Sequence, residues 1–137
     1  MPENRIYNNL LALPLFLGMS RKDLQQAAGQ TRFDFRKATQ GETIVADGDP
    51  CTHLYFLLDG DVLVKTYSTD RSYCIEEEIH APETFQSERI FGLHPQFTHT
   101  YIAQQDCSLL CLGKQDVMKL ATRFDIFRIN LLNLVST

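Results

Sequence analysis

The stretch GETIVADGDPCTHLYFLLDGDVLV, residues 41–64, decides the fold of this chain. Its apolar residues follow a period of two, and many of them are β-branched or aromatic, which is typical of strands. Turn dipeptides interrupt the stretch at short intervals: Asp-Gly at 47–48 and 59–60, and Asp-Pro at 49–50. The apolar runs 54–58 and 62–64 flank the second Asp-Gly, so the pattern predicts a β-hairpin there.

Strand patterns continue on both sides of this stretch. Phe33 and Phe35 alternate with charged residues, and further strands are predicted at about residues 72–79, 98–105 and 107–112. Many short strands with regular turn signals indicate a mostly β protein, here a double-stranded β-helix or jelly roll. The prediction is one domain, with N-terminal helices in 1–30, a β-roll in 31–112 and C-terminal helices in 113–137.

The flanking segments carry helical patterns. Ser20, followed by Asp23, resembles a capping box that opens a short helix. Residues 114–124 are amphipathic, whereas residues 125–137 are apolar over most of their circumference. We therefore expect the last helix to pack both on its own domain and on a second surface. Because it reaches Thr137 without a cap, we also expect a longer chain beyond it.

Composition excludes several classes of protein. The chain has 137 residues, of which 44% are apolar and 22% charged, as in a single globular domain. A formal net charge of −4 argues against nucleic-acid binding by this segment alone, because phosphate neutralisation needs clustered Lys and Arg. No apolar run reaches the roughly 18 residues of a transmembrane helix, and the N-terminal flanks do not fit a signal peptide. We expect no membrane contact and a cytoplasmic location.

The residues that most often carry chemistry show no clustered spacing. The four cysteines form no C-x-x-C pair and are expected to be reduced and partly buried. His53, His80 and His94 are interpreted as solvated loop residues, and the acidic run 76–78 as a solvated strand and turn. No catalytic residue, metal site or cofactor is therefore predicted, although haem stays open because one His or Cys ligand is sufficient for it.

Two motifs in the central stretch have a specific form. G-E-x-I-x-x-x-G-D at 41–49 precedes L-Y-F-L-L-x-G-x-V at 54–62, and LPLFLGMSRKDL at 13–24 comes before both. Together with the order of elements, they resemble the cyclic-nucleotide-binding sensor domain of the Crp/Fnr family of bacterial transcription regulators, over about residues 10–137. The resemblance implies glycine turns at Gly41, Gly48 and Gly60. It also implies a homodimer through residues 125–137, from Asp125 onward, and DNA contact only through a domain missing from this chain.

The same resemblance locates a candidate ligand site in FQSERIFGLHPQFTHT, residues 85–100. Phe85 and Glu88 match the Phe and the ribose-binding Glu of the family's phosphate cassette, with Ser87 in place of Gly. Phe97 or Thr98 stands where the resemblance places the phosphate-binding Arg. A phosphate bound without that charge loses roughly 1.5–3 kcal/mol. We therefore predict that ordinary cyclic AMP is not the effector.

Two neighbours offer a replacement charge. Arg89 follows Glu88, and a protonated His99 is a second source, while Thr100 matches a family Thr. In the alternative interpretation, Arg89 and His99 are surface residues and Glu88 caps a short helix. The candidate ligand-binding residues are Phe85, Ser87, Glu88, Arg89, Phe97, Thr98, His99 and Thr100.

Three functions stay open at this point. The leading hypothesis is a non-enzymatic effector-sensing and dimerisation domain of a Crp/Fnr-like regulator, with an unknown small-molecule effector. The second is a cupin-like metal enzyme on a jelly roll. An open metal site needs about three convergent ligands, and this sequence lacks the H-x-H group that would supply two of them. The third is an interaction module that binds no ligand.

Overall fold

A computed structural model of the protein describes residues 10–11, 13–85, 90 and 95–135. A 3₁₀ helix, Pro14–Phe16, precedes helix α1, Arg21–Gln30, and two further helices, α2 (Lys114–Arg123) and α3 (Asp125–Val135), follow the strands. The strands are β1 (Asp34–Ala38), β2 (Thr43–Val45), β3 (His53–Asp59), β4 (Asp61–Tyr67), β5 (Cys74–His80), β6 (Glu83–Thr84), β7 (Thr100–Ala103) and β8 (Cys107–Gly113).

Two antiparallel sheets form a sandwich. The strand orders are β1-β8-β3-β6 in the first sheet and β2-β7-β4-β5 in the second. Along β4, Val62 and Val64 are buried while Asp61 and Leu63 are partly exposed, as expected when only one face of a strand meets the core. The mostly β jelly-roll fold predicted from the period of two is confirmed.

The hairpin predicted at Asp59-Gly60 is wrong. β3 pairs with β6 and β8, whereas β4 pairs with β5 and β7, so the two strands belong to different sheets. Between β3 and β4 the chain passes from one sheet to the other, and we call this point the corner. Gly60, at φ +104°, lets the chain make this turn within one residue. A turn residue between two apolar runs is the same local signal for a hairpin and for a corner, and the choice between them depends on distant strands. Gly41 and Gly48 also have positive φ, as predicted.

The helices begin close to their predicted positions. The Ser20 side chain accepts a hydrogen bond of 3.0 Å from the backbone N–H of Asp23 and so caps α1, which confirms the predicted cap. None of the helices in the described part of the chain has the length and apolar character needed to cross a membrane.

Helix α3 is fastened to the N-terminal segment. Phe127 is fully buried against Phe16, with ring centroids 5.9 Å apart. Asn130 Nδ2 donates hydrogen bonds of 3.0 and 2.7 Å to the carbonyl oxygens of Leu15 and Leu17. These bonds satisfy carbonyl groups of a segment that has only a short helix of its own. The start and the end of the described chain therefore pack as one unit.

The cysteines are free, as predicted, whereas two of the histidines predicted in loops lie on strands. All four cysteines are free; Cys74 is exposed and the other three are buried. Burial raises the pKa of the Cys111 thiol to about 11, so that thiol stays protonated. His53 begins β3 and His80 ends β5, so neither lies in a loop, and His94 falls outside the described residues.

Replacing Gly60 tests the corner. In Gly60→Ala, the new Cβ would lie 2.7 Å from Cys107 Sγ and 2.9 Å from the Asp106 carbonyl oxygen, in addition to the strain of positive φ. We expect a loss of about 3 kcal/mol or more in the free energy of unfolding, measured by urea denaturation. Gly41→Ala is the matched control, because Gly41 has φ +88° but nothing within 4 Å of its added Cβ. It should lose only about 1–2 kcal/mol, and equal losses for the two variants would contradict the crowding at the corner.

Candidate ligand-binding site

A concavity of about 340 Å³ opens on the inner face of the second sheet. The pairing register places Val64 opposite both Glu77 of β5 and Tyr101 of β7, so these side chains share one face. The volume falls within the usual range for small-molecule pockets. The lining residues are Val64, Thr66, Glu77, Ile79, Glu83, Thr84, His99 and Tyr101.

Thr66, Thr84 and His99 are hydrogen-bonding residues of this pocket, beside the hydroxyl of Tyr101 and the carboxylates of Glu77 and Glu83. Thr66 Oγ1 and His99 Nδ1 share a hydrogen bond of 3.0 Å. Thr84 Oγ1 is buried and has no hydrogen-bond partner in the described part of the chain. An unsatisfied buried hydroxyl costs about 1–3 kcal/mol. A ligand atom that bonds to this hydroxyl would recover that free energy.

The charge of the lining is negative. Glu77 and Glu83 carry carboxylates, and no Lys or Arg stands among the lining residues that the structure describes. Like charges in a partly buried pocket repel. The described wall therefore disfavours a phosphate group and favours a neutral or positively charged polar ligand.

An aromatic cluster lies directly behind the pocket. Phe85 stacks on Tyr101, with ring centroids 4.0 Å apart and planes at 9°, and on Tyr55 at 6.0 Å. Phe97 meets Tyr55 and Tyr101 edge-on at 5.8 and 6.3 Å. Phe85 and Phe97 are each only 1% exposed, and neither lines the pocket. Both sequence-predicted residues thus support the pocket wall through Tyr101.

The other predicted site residues have separate positions. His99, a candidate from the sequence, lines the pocket, and its role in ligand binding stays a prediction. Thr98 is half-buried outside the lining, and Thr100 Oγ1 accepts a hydrogen bond of 3.1 Å from the backbone N–H of Asp47. The remaining three candidates lie outside the described residues: Ser87, Glu88 and Arg89.

Several lining residues were missed at the level of sequence. The alternation along β4 already placed Val64 and Thr66 on the same face as buried Val62, so a signal for these two was present. For Thr84 there was no usable signal, because β6 has only two residues and shows no periodicity. The pocket draws on four strands, whereas the sequence motif covered a single segment.

A second concavity, of about 180 Å³, lies beside β1 and β8. Three of its polar side chains already have hydrogen-bond partners. Arg36 Nε bonds to Asp34 Oδ2 at 2.9 Å, and this hydrogen bond raises the pKa of Arg36. His53 Nδ1 bonds to the hydroxyl of Thr52 at 2.8 Å. The inner pocket, with its unpartnered hydroxyl, is therefore the stronger candidate.

Comparisons with known proteins point to one family. A family model described as "Cyclic nucleotide-binding domain" matches residues 35–124. A search of curated protein sequences finds no significant match.

Solved structures share the fold at low sequence identity. The catabolite activator protein of Thermus thermophilus is 24% identical with a TM-score of 0.77, and the match covers 90% of this chain and 57% of that one. The sensor domain of the transcriptional regulator DNR from Pseudomonas aeruginosa is 20% identical with a TM-score of 0.77, covering 99% and 90%. A cAMP-binding acyltransferase from Mycobacterium smegmatis is 20% identical with a TM-score of 0.70, covering 96% and 40%. The match thus covers 90% of the sensor-domain chain but 57% and 40% of the other two chains.

Two isosteric substitutions test the hydroxyl groups. Thr84→Val removes an unpartnered hydroxyl, so we expect the free energy of unfolding to rise by about 1 kcal/mol. Thr66→Val, the matched control, removes the bond to His99 and should lower it by about 0.5–1.5 kcal/mol. Urea denaturation of the ligand-free protein measures both. If the two variants lose the same stability, Thr84 Oγ1 has a partner in solution.

Proposed function

The chain belongs to the cyclic nucleotide-binding domain family, and from this membership we propose that it is the effector-sensing and dimerisation domain of a Crp/Fnr-like transcription regulator. Support comes from the sensor domain of a transcriptional regulator, of which the match covers 90%, and from a transcriptional regulator of Thermotoga maritima, of which it covers 86%. The domain itself performs no reaction. It acts in the cytoplasm and contacts DNA through a separate domain.

The observation that carries the proposal is the buried, unpartnered hydroxyl of Thr84 in a pocket of ligand size. Thr84, His99 and Thr66 offer donors and acceptors in the pocket, while Val64 and Ile79 offer apolar contact. A few placed polar groups in a mostly preformed cavity is the usual design of a small-molecule site. The effector is therefore a small polar molecule that hydrogen-bonds to Thr84.

Cyclic AMP fits this wall poorly. The described lining presents Glu77 and Glu83 and no Lys or Arg. The monoanionic phosphate of cyclic AMP would therefore leave water without gaining a cationic partner there. The missing charge-assisted bond is worth roughly 1.5–3 kcal/mol. That difference corresponds to about one to two decades in affinity.

Helix α3 supplies the surface for dimerisation. Phe127 and Leu131 are buried in the domain, whereas Ile126, Ile129 and Leu132 are 42%, 56% and 58% exposed. Because successive residues of an α-helix are about 100° apart, the exposed three form a stripe on the side opposite the buried pair. An apolar stripe on a helix is typical of a helix–helix interface. A second copy of α3, related by a two-fold axis, would cover it.

Ligand panels test the sensing role. We expect cyclic AMP at millimolar concentration to give little thermal shift, while a polar effector at 100 times its Kd adds about 2.7 kcal/mol of stability. The panel should contain cyclic nucleotides, nucleosides, and neutral and cationic metabolites. Any ligand that shifts the wild type should lose most of its effect in Thr84→Val. A micromolar Kd of the wild type for cyclic AMP would overturn the proposal that another effector is sensed.

A charge placed in the pocket should change its selectivity. In His99→Arg, we expect cyclic AMP to bind at least about tenfold more tightly, because the guanidinium supplies the missing cation. His99→Gln, which changes the same side chain without adding charge, should show no gain. Adenosine, which lacks the phosphate, should bind both variants alike. An equal gain for adenosine and cyclic AMP in calorimetric titrations would contradict the electrostatic explanation.

The dimer is tested by a charge on the stripe. In Ile129→Glu, burial of two carboxylates at a two-fold interface should weaken dimerisation at least about 100-fold, measured by sedimentation equilibrium. Ile75→Glu is the matched control, because Ile75 is 53% exposed but lies on β5, and its substitution should have no effect. A wild type that stays monomeric at high micromolar concentration would refute the dimer.

A further inference from the structure

A second polar cluster lies on the outer face of the β4–β5 ladder, opposite the ligand pocket. The register pairs Asp61 with His80 and Leu63 with Glu78. Glu78 and His80 are two residues apart on one strand, so their side chains point to the same side as Asp61. Val62, the neighbour of Asp61, is fully buried on the inner side. The cluster is therefore separate from the pocket and independent of the function proposed for it.

The three side chains converge on one point. His80 Nδ1 lies 2.5 Å from Asp61 Oδ1 and 3.9 Å from Glu78 Oε1. Within the part of the chain that the structure describes, this is the one group of His, Cys, Asp and Glu whose ligand atoms all lie within 4.8 Å of one another. Atoms bound to one zinc ion lie roughly 3–3.5 Å apart, given bonds of about 2.0–2.2 Å. Side-chain rotations that move the ligand atoms by about 1 Å would bring them toward that spacing. The side chains of His80 and Glu78 are 65% and 49% exposed and have room for such rotations.

A neighbouring residue already orients one of the carboxylates. Gln105 Nε2 donates a hydrogen bond of 3.0 Å to Asp61 Oδ2, which leaves Oδ1 directed at His80. The Asp61 backbone is held as well, because its carbonyl oxygen accepts from the N–H of Gln104 at 3.0 Å. Hydrogen bonds of this kind, from residues behind the ligands, are a regular feature of metal sites.

We propose that Asp61, Glu78 and His80 form a surface site for a zinc ion, with one imidazole nitrogen and two carboxylate oxygens as ligands. Three protein ligands leave the fourth position of a tetrahedron to water. The imidazole selects zinc over magnesium, which prefers six oxygen ligands in an octahedron. A bound ion would join β4 to the end of β5, three residues before the chain enters β6. The sequence predicts no metal site, because Asp61 lies on a different strand from Glu78 and His80 and meets them only through strand pairing.

The competing explanation is an ordinary ion pair. The hydrogen bond that His80 donates to the Asp61 carboxylate raises the pKa of His80, so a proton occupies the same position that a metal ion would take. A protonated His80 between two carboxylates is satisfied without an ion. The two explanations differ in whether zinc binds at this point with defined stoichiometry.

Calorimetric titration with zinc separates them. The exposed thiol of Cys74 also attracts zinc, so the titration uses the Cys74→Ser variant as its reference. We expect one zinc ion per chain, no binding of magnesium, and a loss of at least about tenfold in zinc affinity in His80→Ala. Glu78→Gln, an exposed and nearly isosteric change, should show a similar loss. Agreement between the two variants would show that the loss does not come from misfolding of His80→Ala.

Two further variants sharpen the result. His53→Ala removes a histidine on β3 that is not in the cluster, and its zinc affinity should equal that of the reference. Gln105→Ala keeps all three ligands but releases Asp61, so we expect one zinc ion bound about tenfold more weakly. The proposal is wrong if the reference protein binds no zinc at micromolar concentrations, or if His80→Ala and Glu78→Gln bind it as well as the reference does.

Discussion

The close approach of Gly60 to residues 106–107 is the constraint on which the sandwich depends. A Cβ at Gly60 would lie 2.7 Å from Cys107 Sγ, so the chain passes from one sheet to the other with no room for a side chain. The Gly60 carbonyl accepts a hydrogen bond of 3.2 Å from the N–H of Ala81, which brings a third segment to the corner. Because the corner takes a single residue, it decides which side chains of β4 point inward. A shift of one residue would exchange the two faces of that strand.

The acidic run at residues 76–78 shows what that choice of faces does. Glu77 lies opposite Val64 and lines the inner pocket, where it contributes negative charge. Glu76 points outward and pairs with Lys65 at 3.7 Å, and Glu78 points outward toward His80 at 3.9 Å. Three identical residues thus have three different roles, assigned by strand parity and by the partner strand. Composition alone had suggested only a solvated strand and turn.

Sequence reasoning succeeded where the determining interactions are local. The period of two, the positive φ of Gly41 and Gly48, and the cap at Ser20 each depend on residues within a few positions. It failed at Asp59-Gly60, where the strands on either side pair with partners elsewhere in the chain. For the pocket, a motif resemblance made His99 a candidate because it pointed to that segment, whereas Thr84 has no sequence signal and joins the lining only when the sheets assemble. Ligand binding by either residue stays a prediction.

The stack of Phe85 on Tyr101 connects the resemblance to the pocket that the structure shows. Phe85 matches the Phe of the cassette, and Tyr101 lines the pocket, with their ring centroids only 4.0 Å apart. Such a contact, buried among Tyr55 and Phe97, holds the wall in place without any ligand. A ligand that enters a preformed wall loses little free energy in ordering it. Selectivity then rests on the polar groups of the wall, and among these Thr84 has most to gain because its hydroxyl is otherwise unsatisfied.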